Sequence, residues 1–177
     1  SRRASGLHPV TFTGPAQTPV TGTIVCTTAT STLTKTGAVT LTFSGAGANT
    51  YQGLTTVSGG TLLLNKTSGI TAIIGDGVAS KTVADVLISG GTLQIANFAN
   101  NQLDSTVYVS LTSGTFNIGR SSQTITEFTN SGGTFIAPRG SSFTVTDPTW
   151  SAGSTNEIVG NQSYGVLNIS GGTNRIH

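Results

Sequence analysis

A Ser-Gly-Gly-Thr corner flanked by short apolar alternation recurs along the chain, and this repeat constrains the fold more than any other feature. Five segments share the design: LTTVSGGTLLL at 54–64, VLISGGTLQI at 86–95, TSGTFNI at 112–118, TNSGGTFI at 129–136 and LNISGGTNRI at 167–176. The corner threonines Thr61, Thr92, Thr115, Thr134 and Thr173 are spaced by 31, 23, 19 and 39 residues. A constant corner with variable spacing describes one repeated edge joined by loops of different length. Glycine at such a corner permits φ > 0, which other residues resist. The threonine after it suits an extended backbone, and its hydroxyl stacks on the threonine of the next layer. The structural corners are therefore Gly60 and Thr61, Gly91 and Thr92, Gly114 and Thr115, Gly133 and Thr134, and Gly172 and Thr173.

After each corner the large apolar side chains fall at comparable positions. Leu62, Leu64, Leu93, Ile95, Phe116, Ile118 and Phe135 are the expected core, and Leu63, Gln94 and Asn117 are expected to face out. One coil cannot bury such residues alone, whereas stacked coils can. The predicted fold is all-β: a right-handed parallel β-helix, or β-solenoid. At roughly 20–25 residues per coil, the chain is expected to form about seven or eight coils. An antiparallel sandwich also accommodates short alternating strands, but gives no reason for the same corner to recur with the same neighbours.

Composition agrees. Only 8% of the 177 residues are charged, far below the roughly 25% of ordinary soluble chains. No apolar run approaches the roughly 20 residues of a spanning helix, so no membrane insertion of this segment is expected. The cations are scattered and the net charge is +2, so nucleic acid is not an expected partner. The single cysteine, Cys26, excludes an internal disulfide framework and reads as a small apolar residue facing inward. Residues 1–30 hold Pro9, Pro15 and Pro19 and read as an N-terminal cap, an irregular first coil or an extended arm. Residues 31–177 read as solenoid repeats, with a more irregular insertion at about 137–165.

The stretch Leu33–Leu64, LTKTGAVTLTFSGAGANTYQGLTTVSGGTLLL, resembles the autotransporter-associated β-strand repeat of bacterial surface and secreted proteins. Lys35, Gly37, Leu41, Ser44, Gly45, Asn49, Tyr51, Gly53, Thr55, Val57, Gly60, Thr61 and Leu62 match its pattern. Ala38-Val39 departs from it, and GAGANTY is longer than the usual GANTY. The resemblance implies an extracellular or cell-surface location and a structural role as stalk, passenger or filament subunit. It implies no catalytic residues, because the motif is architectural.

Catalysis on a β-helix needs carboxylates converging on one wall. Asp85 and Asp104 are 19 residues apart and Glu127 and Asp147 are 20 apart, near a coil length. Both pairs also sit where acids cap turns, and no basic residue accompanies them by pattern. No catalytic site, metal site or cofactor is expected. His8 and His177 lack a partner, and Gly75-Asp76-Gly77 reads as a plain turn. Asn65, Asn97, Asn117, Asn130 and Asn168 are candidates for amide ladders. Trp150 and Tyr164 are the one pair placed for glycan contact, against simple packing beneath a loop. The leading expectation is a non-catalytic structural module. The alternatives are an adhesin binding host or surface glycans, and a polysaccharide lyase or hydrolase. The last corner is followed by no capping segment, so end-to-end self-association, or continuation in a longer chain, is expected.

Overall fold

A computed structural model describes residues 9–14, 18–26, 31–78 and 82–146. It also describes the backbones of Ser151–Ala152, Glu157–Val159 and Val166–Ile169. The alternation read from sequence becomes strands that bury every second side chain. Thr61–Lys66 buries Leu62 and Leu64, and Val86–Ile95 buries Val86, Ile88, Leu93 and Ile95. All strand pairings among the described residues are parallel. The chain is thus an all-β solenoid of about six turns, slightly fewer than expected. One turn, from Thr55 to its partner Val86, takes 31 residues, more than the length assumed per coil.

Three walls stack along the axis. The first contains β1 (Val10–Phe12), β3 (Leu33–Lys35), β5 (Thr55–Val57) and the leading half of β7 (Val86–Ile95). It continues through the leading half of β8 (Tyr108–Asn117), β10 (Glu127–Asn130) and β13 (Ser151–Ala152). The second contains β2 (Thr18–Val20), β4 (Thr40–Gly45), β6 (Thr61–Lys66), the trailing halves of β7 and β8, β11 (Thr134–Ala137) and β14 (Glu157–Val159). The third becomes a regular sheet only in the later turns, as β9 (Ser122–Ile125), β12 (Ser142–Val145) and β15 (Val166–Ile169). Earlier it is an isolated Ile73–Leu103 bridge.

Register partners place like on like across layers. Leu41, Leu62, Leu93, Phe116 and Phe135 form one buried column. Val57, Ile88 and Leu111 form another. Late in the chain the filling becomes aromatic. Phe116, Phe128, Phe135 and Phe143, drawn from three walls, meet with ring centroids 4.8–5.9 Å apart. Tilted and edge-on arrangements of this kind suit the ring quadrupoles. Every residue of the expected core is fully buried. Leu63, Gln94 and Asn117 are half-buried on the outer side, and Cys26 is buried beside the Ser31 hydroxyl.

Candidate functional site

The corners are the residues the sequence singled out, and the structure brings four of the five together. Thr61 pairs with Thr92, Thr92 with Thr115, and Thr115 with Thr134, while Thr40 extends the ladder one layer toward the N-terminus. The glycines serve two different needs. Gly60 and Gly114 adopt left-handed backbone, with φ of 60° and 83°. Gly91 and Gly133 do not; they are glycine for lack of room. A Cβ on Gly91 would lie 2.8 Å from Val57 Cγ1, and one on Gly133 would lie 2.4 Å from Leu111 Cδ1. In β7 and β8 the corner is also not a break. Each strand runs through it, and between them the register shifts at Ile88/Ser89 and Ser89/Thr92. Such bulges bend a strand without ending it. Gly172 and Thr173 lie outside the described residues, as do Trp150 and Tyr164.

Two lysines, Lys35 of the repeat pattern and Lys66, read in the sequence only as a scattered charge, are buried side chains. Lys35 occupies the inward register position held by Val57 in the next layer. Its Nζ donates to the carbonyls of Gly37 and Gly59. Lys66 Nζ donates to Gly47 O at 2.7 Å, Gly22 O at 3.3 Å and Ser44 O at 3.4 Å, spanning neighbouring layers. Burial holds both ammonium groups below the ordinary lysine pKa. The Tyr51 phenol, bonded to Thr55 Oγ1 at 2.9 Å, is pushed well above its usual range by burial.

The internal amide column is made by residues other than the expected asparagines. Asn49 accepts from Ile24 N and donates to Ala72 O, spanning three layers. Gln102 Oε1 accepts from Lys66 N, and Gln123 Oε1 accepts from Gln102 N and Leu103 N. These side chains supply interlayer hydrogen bonds where the third wall lacks a regular strand. Of the expected ladder, Asn65 and Asn97 are exposed and Asn117 is half-buried. Asn130 is buried, accepts from Gly132 N and Gly133 N, and leaves its Nδ2 without a partner. Asn168 falls where only the backbone is described. No asparagine signal distinguished Asn49 in advance beyond its place in the repeat motif, and the two glutamines carried none.

The coil-spaced acids do not stack. Asp85 lies opposite Tyr108, since Asp85 N donates to Tyr108 O and Asp85 Oδ2 accepts from Tyr108 N. Its other carboxylate oxygen accepts from Asp76 N. Asp104 lies on a different side, next to the Ile73–Leu103 bridge, and caps its own turn through Thr106 N and Oγ1. Asp147 lies outside the described residues. Among the described residues no three His, Cys, Asp or Glu side chains group as metal ligands. No helix of the described residues is long and apolar enough to cross a membrane.

No curated protein and no solved structure matches the chain. The model of one family does: residues 33–64, which hold the buried Lys35 and the Thr40–Thr61 step of the threonine ladder, match the passenger-associated-transport-repeat.

Proposed function

We propose that the chain is a non-catalytic extracellular wall segment, a stalk or passenger-type module whose role is to present an extended rigid surface. The observation that carries this reading is the use made of its motif residues. Gly60, Thr61, Lys35 and Asn49 are all engaged in joining one layer to the next, while Tyr51 braces its own turn through Thr55. The passenger-type repeat at 33–64 supports the same role and a secreted or surface location. Incubation with pectin, alginate, hyaluronan and peptidoglycan fragments is expected to give no turnover. Turnover abolished by Asp85→Asn or Asp104→Asn would overturn the non-catalytic reading. Cell fractionation is expected to find the protein outside the cytoplasm.

A second feature favours end-to-end association. Among the described strands, β1 pairs only with β3 and β2 only with β4, so the other side of each has no partner among the described strands. An added strand from a second copy, or from further chain, pairs with such a side. A head-to-tail contact propagates as a fibre unless its rotation closes a ring. Light scattering and electron microscopy at high protein concentration test this, and a strict monomer would exclude the filament.

A further inference from the structure

The corner between the second and third walls carries three choices that folding alone does not favour. The first is Phe98, in the turn 96–101 after β7. Its φ is 64°, a left-handed backbone that bulky residues rarely adopt, and its side chain is 69% exposed. Burial therefore gives Phe98 little in return for its strain. Glycine or asparagine would fit the same turn more easily. The turn is held rigidly. Phe98 N donates to Arg120 O and Asn101 N to Ser122 O, while Arg120 N donates to Asn97 Oδ1 and Ser122 N to Asn100 Oδ1. Those contacts use the amide oxygens of Asn97 and Asn100, which leaves their NH2 groups as donors at the same turn.

The other two choices are arginines. Arg120 lies in the turn after β8 and Arg139 in the turn after β11, at the same corner in successive layers. Ser142 N donates to Ser121 O and ties the two turns together. Both arginines are exposed, and neither forms an ion pair among the described residues. The turns at 96–101, 119–122 and 138–141 contain no acid. Like charges one layer apart repel, at the roughly 4.8 Å spacing of paired strands. A strained exposed aromatic residue and two uncompensated cations thus share one edge of a chain that carries few charges anywhere.

We propose that this corner binds an anionic saccharide, its ring stacked on Phe98 and its carboxylate or sulfate held by Arg120 and Arg139. An aromatic face takes the apolar face of a pyranose, the planar guanidinium forks match an oxyanion, and the asparagine NH2 groups reach ring hydroxyls. The rigid turn means that little ordering entropy opposes binding. Two cations are few for a nucleic acid backbone. The amides around Phe98 are ill suited to insertion into a lipid surface, which asks for apolar neighbours. Binding here goes beyond the wall role and does not depend on it.

The test is calorimetric titration of the full chain with heparin and polygalacturonate, and with dextran as the neutral comparison. Duplex DNA and phosphatidylserine vesicles serve as other polyanions. Binding to at least one acidic polysaccharide, weakened by salt and absent for dextran, is expected. Phe98→Asn, which keeps a residue tolerant of the left-handed backbone, is expected to weaken binding about tenfold or more while melting no earlier than the wild type. Arg120→Gln with Arg139→Gln is expected to weaken it at least as much. If Phe98→Asn misfolds, Phe98→Gly replaces it, with the same expectation. Absence of binding to both acidic polysaccharides, equal binding of dextran, undiminished binding by a folded Phe98 variant, or equal affinity for DNA or vesicles would each overturn the proposal.

Discussion

Lys66 illustrates how a charge is accommodated in an interior by backbone carbonyls. Its ammonium points at the C=O groups of Gly22, Ser44 and Gly47, so one side chain satisfies acceptors on neighbouring layers. Replacing it by methionine keeps the volume but strands those acceptors. An unsatisfied buried acceptor costs roughly 1–3 kcal/mol, so Lys66→Met is expected to destabilise by about that much. Urea denaturation reads this; an unchanged or raised midpoint would show that desolvating the ammonium outweighs its hydrogen bonds. Titration gives a second check. Tyr51 keeps its proton in the folded state to a higher pH than in the unfolded chain, where the phenol ionises at about 10. Its contribution is therefore intact below pH 10 and is lost as the pH rises above that value. Lys35 and Lys66 act in the opposite sense, because burial lowers their values: stability rises with pH as the unfolded lysines still hold protons that the folded ones release. The tyrosine part can be isolated. The stability gap between wild type and Tyr51→Phe is expected to narrow from pH 8 to pH 11, and a constant gap would contradict a buried neutral phenol.

At the scale of the strand, the legible features were those whose partner is the same text one layer away. TLLL, TLQI, TFNI and TFI predict each other's register, because a one-residue slip would turn Leu93 and Phe116 out to solvent. Leu93 is fully buried between Leu62 and Phe116, and Leu93→Ala is expected to cost about 2–5 kcal/mol in chemical denaturation. A value near zero would mean the column does not pack as a unit. Gly60→Ala should be costly for another reason. The residue sits at φ 60°, and a Cβ would lie 2.2 Å from Gly37 O. What sequence did not disclose are features whose partner is backbone, or a residue at an unpredictable spacing. Lys35 and Lys66 bond to carbonyls, which every residue has. Gln102 and Gln123 align because the turn between them takes 21 residues, after a step of 36 from Lys66, and nothing in their identity announces that. The 19-residue separation of Asp85 and Asp104 is not a layer step for the same reason: the layer above Asp85 is reached at Tyr108, 23 residues on, so Asp104 falls on another side of the coil. Phe98 gave no signal either, since only a dihedral angle and an exposure make it unusual.

Across the whole molecule, stability is a sum over neighbouring layers, and the layers are not alike. In the early turns the filling is Leu41, Phe43, Leu62 and Leu64 together with the two lysines and their carbonyls. In the later described turns the four clustered phenylalanines fill all three walls at once. The strands differ in support too. Val86–Ile95 is paired on both sides along both walls, whereas Val10–Phe12 and Thr18–Val20 are each paired on one side among the described strands. An amide in a strand flanked on both sides opens only when two interfaces part. One at an edge opens by local separation, at a lower free energy. Native-state hydrogen exchange should therefore rank the backbone amides by layer. Ile88, Leu93 and Leu111 are expected to exchange slowest and by global opening, with a denaturant dependence matching that of full unfolding. Val10 and Phe12 are expected to exchange faster, with little denaturant dependence. The same measurement at high protein concentration bears on end-to-end association. If copies add end to end, protection at Val10 and Phe12 rises with concentration while Ile88 stays constant. Uniform protection from β1 through β8 in dilute monomer would show that the solenoid opens as one body, and the layer-by-layer account would then be wrong.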